Sequence, residues 1–184
     1  MEHNPWQVIG EQEKYDNPWI RLTEYQVIDP SGRKGIYGKV QFKNVAVGVI
    51  PVDEEGYTWL VGQFRFPLQQ YSWEIPEGGA PVGSDPLENA KRELKEETGL
   101  IADHWEDLIT LHLSNSVSDE YAIVYLATGL HSGKSAPEET ELLQVKRLPV
   151  EKAFEMVANG QITDAISVAA LLKLQCRWQQ SKQN

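Results

Sequence analysis

Apolar positions recur with two different spacings along the chain, and together these spacings predict a mixed α/β protein. A continuous apolar run from 45 to 52 predicts a buried strand. Other segments rich in β-branched and aromatic residues predict strands at 57–66, 73–75, 108–113, 121–127 and 142–148. Helical spacing predicts a helix that starts near Asp85, and two more at 150–158 and 164–178. No repeat or linker interrupts this order, so we expect a single domain over 1–184.

Residues before Val45 predict an additional antiparallel sheet. Segments 19–22 and 25–28 are rich in strand-forming residues, a turn follows at 29–32, and 36–42 predicts the returning strand. A sheet this small is marginal alone and must bury one face. We therefore expect residues 1–43 to form a dimerisation sheet, with two copies meeting across a symmetric interface.

The helix after the Gly-rich segment that follows 73–75 carries both start and stop signals. Asp85 can cap its N-terminus, and Pro86 suits the first helical position. Gly99 is a C-cap residue. The buried stripe predicted by helical spacing consists of Leu87, Ala90 and Leu94.

Three carboxylates crowd one region of this helix beside Arg92. Positions three and four apart are neighbours on a helix, so Glu93 lies near Glu96 and Glu97. Such carboxylates repel one another unless they share a cation, and sites made only of oxygen ligands suit Mg²⁺ or Mn²⁺. The pattern therefore favours a metal site, while a solvated acidic helix face is the alternative.

Composition narrows the classes of partner. The formal net charge is −10, which argues against broad binding to nucleic acid or to an anionic membrane. The single cysteine allows no internal disulfide, and no segment has the apolar length of a membrane span. The N-terminus lacks the pattern of a signal peptide, so we expect a cytoplasmic protein with no membrane partner.

The segment 78–100, GGAPVGSDPLENAKRELKEETGL, resembles the Nudix box. That pattern is Gly, five residues, Glu, seven residues, then Arg-Glu-apolar-x-Glu-Glu-x-Gly-apolar. Ser84 stands where the box has its first Glu, which leaves a peripheral role in doubt, and Asp85 or Glu88 could substitute. The positions that fit the box are Gly78, Arg92, Glu93, Leu94, Glu96, Glu97, Gly99 and Leu100.

Three further segments are similar to ADP-ribose pyrophosphatases and related nucleoside diphosphate sugar hydrolases: 63–67, 73–76 and 157–172. The resemblance implies a Nudix α/β/α sandwich with a mixed sheet, and a homodimer. It also implies Mg²⁺-dependent hydrolysis of a pyrophosphate bond, with Mn²⁺ as a possible substitute. The products would be a nucleoside monophosphate and a sugar phosphate.

The resemblance also implies roles for particular residues. Glu93 and Glu97 are the primary metal ligands, and Glu96 reaches a second ion or an ordered water. The backbone carbonyl of Glu77 is a further ligand, and Arg92 orients a carboxylate. The general base corresponds to an acidic residue on the loop before the last strand. Alignment on that strand assigns the base to Glu139 and an extra metal ligand to Glu141, although Glu138 and Glu120 remain alternatives and the loop could be merely solvated.

Four residues are predicted to bind substrate. Arg65 suits a phosphate clamp because its planar fork binds phosphate oxygens bidentately, although a surface strand arginine is the alternative. Glu74 belongs to the subgroup motif, and Glu120 matches an active-site loop glutamate. Trp19, with Tyr15 and Tyr37 as other candidates, could stack on the base or could simply pack its own sheet.

Two other functions stay open. A nucleoside triphosphate or dinucleoside polyphosphate hydrolase would use the same box but lack the dimerising sheet. A non-catalytic nucleotide-sugar sensor would tolerate loss of the box carboxylates, and Ser84 is the one feature that favours it.

Overall fold

The computed structural model describes residues 3–133 and 143–181, and these fall into two compact units. The described part of the first unit comprises residues 3–44 and 112–121, and that of the second comprises 45–111, 122–133 and 143–181. None of the described helices is long and apolar enough to cross a membrane.

The first unit contains a three-stranded antiparallel sheet, which confirms the additional N-terminal sheet. Its strands are β1 (Gln7–Asp16), β2 (Ile20–Ile28) and β3 (Lys34–Phe42), with β2 in the centre. The predicted turn joins β2 to β3, where the Asp29 carboxylate accepts hydrogen bonds from the N–H groups of Ser31 and Arg33. β2 is one continuous strand where the sequence predicted two short ones.

The second unit contains two sheets. One has the order β7-β4-β9-β8, and the other is the antiparallel sheet β10-β5-β6. β4 and β9 pair in parallel, and the predicted mixed α/β architecture is confirmed. The strands are β4 (Asn44–Pro51), β5 (Tyr57–Arg65), β6 (Gln70–Glu74), β7 (Glu77–Pro81), β8 (Leu100–His112), β9 (Tyr121–Ser132) and β10 (Gln144–Pro149), with a short 3-10 helix at Phe66–Leu68.

Three helices complete the second unit: α1 (Pro86–Thr98), α2 (Val150–Ala158) and α3 (Ala165–Ser181). α1 begins and ends as predicted. The Asp85 carboxylate accepts a hydrogen bond from the N–H of Leu87 at 2.9 Å. Gly99 adopts φ 73°, a left-handed conformation that glycine enters without strain, and its N–H closes the last turn on the carbonyl of Lys95.

β4 lies between two helices because alternate residues of a strand face opposite sides of its sheet. Val47 and Val49 pack with Ala90 and Leu94 of α1 in one buried cluster. On the opposite face, a Cβ added at Gly48 would lie 3.2 Å from the Ile166 side chain of α3. This arrangement is the predicted sandwich, and it brings the ends of β6, β7, α1 and α3 together.

Candidate active site

The carboxylates of α1 are paired with Arg92 on the same helix. Arg92 Nη2 donates to Oε1 of Glu93 at 2.5 Å, and its Nη1 donates to Glu96. Burial alone would lower the Arg92 pKa, but the two carboxylates outweigh it and raise the pKa above its ordinary value. One guanidinium therefore orients two of the three box carboxylates, as the resemblance implies.

Glu97 is held from the neighbouring strand. Its side chain is buried, and Oε2 accepts a hydrogen bond from the backbone N–H of Glu77 at 3.1 Å. Glu77 begins β7, which packs directly on α1. The strand thereby fixes the position of a carboxylate that the helix alone would leave free to rotate.

Gly78 leaves the space that Glu93 occupies. A Cβ added at Gly78 would lie 2.1 Å from both Cδ and Oε1 of Glu93, far inside van der Waals contact. Glycine is required here because a carboxylate approaches the backbone closely, rather than because the backbone is left-handed. The glycine at the first position of the box therefore leaves room for the carboxylate of Glu93.

Ser84, the departure from the box pattern, ties down the loop between β7 and α1. Its hydroxyl donates to the carbonyl of Pro81 at 2.7 Å and accepts from Nδ2 of Asn89 at 3.0 Å. The two residues considered as substitutes have other partners: Asp85 caps α1, and Glu88 pairs with Lys91. A serine at this position therefore stabilises the loop by short hydrogen bonds.

Arg65 joins two acidic residues next to the box. Its Nε donates to both carboxylate oxygens of Glu74, at 3.0 and 3.1 Å, and Nη2 donates to Oε1 of Glu77 at 2.7 Å. Burial alone would lower the Arg65 pKa, but these carboxylates raise it above its ordinary value. The phosphate-clamp role of Arg65 stays a prediction. In the part of the chain that the structure describes, the hydrogen bonds of Arg65 run from Nε and Nη2 and none runs from Nη1.

Asp164, which the sequence analysis did not select, lies beside these residues. It precedes α3 and accepts a hydrogen bond from the N–H of Ser167 at 2.7 Å. The Ser167 hydroxyl in turn accepts from the N–H of Ile75 at 2.9 Å, which anchors the start of α3 to the segment between β6 and β7. Carboxylate oxygens of Glu74, Glu77 and Asp164 all lie within 4.8 Å of one another. The sequence signal that could have identified Asp164 was its position at the start of a predicted helix, within the segment 157–172 that resembles the subgroup.

Glu77 has the most perturbed environment of these residues. Burial raises the pKa of its carboxyl well above the usual range, and repulsion from Asp164 and Glu74 adds to the effect, while Arg65 offsets part of it. Its Oε2 atom is buried and has no hydrogen-bond partner among the described residues. The main chain of Glu77 was predicted to serve the metal, but the carboxyl group was not considered.

The remaining predicted residues belong to the first unit or fall outside the described residues. Trp19 and Glu120 belong to the first unit, where Trp19 is 65% exposed. Glu138, Glu139 and Glu141 fall outside the described residues. Their assignments as base, ligand and substrate contacts remain predictions.

The donors near α1 are all oxygen atoms. Glu93, Glu96 and Glu97 offer carboxylates, and the backbone carbonyl of Glu77 offers a neutral ligand. This donor set fits a hard divalent cation such as Mg²⁺ or Mn²⁺ and lacks the soft ligands that select copper or zinc. The arrangement can therefore support metal-assisted hydrolysis of a phosphate ester or anhydride.

Comparison with protein families agrees with this chemistry. The model of the NUDIX domain matches residues 42–171, and the model of the nucleoside diphosphate sugar hydrolase N-terminal domain matches residues 6–40. A solved structure described as an ADP compounds hydrolase superposes with a TM-score of 0.86 at 18% identity. The alignment covers 99% of this chain and 98% of the solved chain, so the two proteins share their fold.

Several relatives align over most of the chain. The ADP-ribose pyrophosphatase of Mycobacterium tuberculosis is 31% identical, covering 94% of this chain and 84% of that protein. The ADP-ribose pyrophosphatase of Bacillus subtilis is 34% identical, covering 92% of each. The methanol dehydrogenase activator of Bacillus methanolicus is 35% identical, covering 84% of this chain and 86% of that protein. Since the domain model spans more than half of the chain and these relatives exceed 30% identity, the chain belongs to the Nudix hydrolase family.

Proposed function

We propose that the chain hydrolyses the pyrophosphate bond of ADP-ribose or a related nucleoside diphosphate sugar, releasing a nucleoside monophosphate and a sugar phosphate. The observation that carries the proposal is the bracing of Glu93 and Glu97, by Arg92 on the helix and by Glu77 and Gly78 on the strand. The similarity of residues 6–40 to a nucleoside diphosphate sugar hydrolase N-terminal domain supports the substrate class.

Mg²⁺ is the proposed cofactor, with Mn²⁺ able to replace it. Glu93, Glu96, Glu97 and the Glu77 carbonyl would hold it. When bound, the metal would neutralise phosphate charge and lower the pKa of water for attack on phosphorus. Arg92 would keep two of the carboxylates oriented toward the metal, because its guanidinium already bridges them.

The residues outside the α1 cluster keep their predicted roles in this proposal. Glu139 would act as the general base. Glu141 would add a metal ligand. The remaining contacts to substrate would come from Arg65, Glu74, Glu120 and Trp19.

We also propose a homodimer and a cytoplasmic location. The first unit exposes several large apolar side chains, among them Val8 at 61%, Trp19 at 65% and Ile36 at 71%. Exposed apolar surface of this kind is often covered by a partner. A second copy of the chain is the partner that a small sheet in a Nudix protein would take.

Two other functions are less well supported. A triphosphate or dinucleoside polyphosphate hydrolase has no need of the N-terminal domain that residues 6–40 match. A non-catalytic sensor would not need intact box carboxylates, whereas Glu93, Glu96 and Glu97 are all present and held in place.

A substrate panel tests the proposal. ADP-ribose, ADP-glucose, GDP-mannose, ATP and diadenosine polyphosphate are each incubated with the protein and Mg²⁺, and monophosphate release is followed by chromatography. The proposal expects nucleoside diphosphate sugars to be hydrolysed fastest. Turnover confined to ATP or to the dinucleotide would replace it with the alternative hydrolase, and no Mg²⁺-dependent turnover would favour the sensor.

A further inference from the structure

We propose that Glu74, Glu77 and Asp164 form a second divalent-cation site, separate from the carboxylates of α1. The proposed box ligands are carboxylates of α1 and the main-chain carbonyl of Glu77, whereas these three carboxylates come from β6, β7 and the start of α3. The inference goes beyond the proposed reaction and does not depend on its substrate.

The three carboxylates converge at one point. Their ligand oxygens lie within 4.8 Å of one another, close enough to contact a single ion. The side chains of Glu74 and Glu77 are only 4% and 11% exposed, and Asp164 is partly buried. The cluster is therefore held within the fold rather than being a group of fully solvated surface acids.

One oxygen in the cluster lacks a partner. Arg65 Nη2 donates to Oε1 of Glu77, but Oε2 of the same carboxyl is buried and meets no donor among the described residues. A buried carboxylate oxygen without a hydrogen-bond partner destabilises the folded state. This atom points to a bound group that satisfies it.

Charge favours a cation as that group. In the described part of the chain, Arg65 is the one cationic side chain paired with these residues, so three carboxyl groups share a single cationic partner. A divalent ion would supply the additional positive charge. Three carboxylates with no nitrogen or sulfur ligand suit Mn²⁺, Mg²⁺ or Ca²⁺.

An ion here would also stabilise the box. It would fix Glu77 between β6 and α3, and the N–H of Glu77 donates to Glu97. The second site would thus hold in place the strand that positions a carboxylate of the first.

The test measures Mn²⁺ binding without substrate, so its result is independent of the proposed reaction. The full chain carrying Glu93→Gln, Glu96→Gln and Glu97→Gln, which removes all three box carboxylates, is titrated with Mn²⁺ and followed by electron paramagnetic resonance. We expect one Mn²⁺ to remain bound. Adding Asp164→Asn should weaken that Mn²⁺ binding at least tenfold. Because asparagine caps a helix as well as aspartate does, the loss would come from the removed carboxylate and not from a weakened α3.

A matched control is Asp85→Asn, which makes the same change at the N-cap of α1, away from the cluster. It should leave the residual Mn²⁺ binding unchanged. If the Asp164 variant does not fold by circular dichroism, Glu74→Gln in the same background replaces it, with the same tenfold loss expected. The proposal is overturned if the box variant binds no Mn²⁺, or if its Mn²⁺ survives the loss of Asp164 or Glu74. In that event a proton on Glu77 satisfies the cluster.

Discussion

The backbone N–H of Glu77 donates a hydrogen bond to Oε2 of Glu97 across 3.1 Å, which ties the first residue of β7 to the last turn of α1. A side-chain carboxylate is thereby positioned by main chain, whose own place is fixed by the sheet. Rigid elements hold functional groups more accurately than loops do. This contact explains why a strand and a helix, rather than a helix alone, would build the proposed metal site.

Gly78→Ala should lower activity far more than stability. The new methyl group would displace the Glu93 carboxyl, which is the end of a flexible side chain, and Gly78 does not have the left-handed backbone that alanine would resist. We expect a loss of about a hundredfold in kcat/KM, the usual result of misplacing a catalytic group by about 1 Å. Steady-state kinetics and a thermal melt measure the two effects.

Gly35→Ala is the matched control, because an added Cβ there meets nothing within 4 Å. It should leave both quantities near their wild-type values. A Gly78→Ala variant with unchanged kinetics would show that the observed position of Glu93 is not required.

Glu77 should make the metal-free protein less stable as pH rises. In the folded protein, the pKa of the Glu77 carboxyl lies well above its ordinary value. At a pH between the ordinary and the raised pKa, the folded state therefore holds a proton that the unfolded state has lost. Stability then falls with pH by up to about 1.4 kcal/mol per unit, starting near the ordinary glutamate pKa and ending at the raised one. Urea unfolding in EDTA between about pH 5 and 8 measures this slope.

Glu77→Gln supplies the comparison. Glutamine stays neutral and still offers an oxygen to Arg65, so the variant should lose this part of the pH dependence and exceed the wild type in stability at the alkaline end. Equal slopes for the two proteins would mean that Glu77 does not carry the perturbed pKa.

Much of this candidate site could be predicted from the sequence, because the residues that indicate it lie close together in one segment of the chain. The caps Asp85 and Gly99 and the buried positions Ala90 and Leu94 are set by helical geometry within one segment, and all occur as predicted. The box carboxylates follow from the same spacing.

The parts that were not predicted depend on contacts distant in sequence. Residues 77–81 form a strand rather than a loop, because their backbone pairs with β4 in the same sheet. The glycines of this segment predict a loop and give no sign of that pairing. Asp164 meets Glu77 only because Ser167 anchors α3 to Ile75, 92 positions apart in the chain. Arg65 was expected to face phosphate, and its pairing with Glu74 depends on the register of β5 with β6.

Glu139→Gln should reduce kcat more than it changes KM, as loss of a general base does. A drop of about 10²–10⁴-fold in kcat is expected. Glu138→Gln makes the same change one position earlier and should retain most of the rate. If the larger loss appears in Glu138→Gln or Glu120→Gln, the base assignment moves to that residue.

Ile36→Lys should shift the protein from dimer to monomer. Ile36 is 71% exposed in the N-terminal sheet, and a charge there would have to be desolvated in an apolar interface. Light scattering coupled to size exclusion gives the mass directly. Arg33→Ala, at a neighbouring exposed position, should remain dimeric. A wild-type monomer at micromolar concentration would contradict the proposed assembly.

The central claim is that the α1 carboxylates hold the metal for hydrolysis, and Glu97→Gln tests it most directly. The variant keeps the shape of the side chain and an oxygen acceptor for the Glu77 N–H but loses the ligand charge. Glu88→Gln removes the same charge from the exposed face of the same helix, where Glu88 pairs only with Lys91 in the described part of the chain. Initial rates of monophosphate release from ADP-ribose are measured at saturating Mg²⁺. The account predicts that Glu97→Gln lowers the rate by at least about a hundredfold, since mutating residues that merely support a metal ligand already costs about 10–100-fold. It predicts a near wild-type rate for Glu88→Gln. A Glu97→Gln variant that folds and retains the wild-type rate would contradict it.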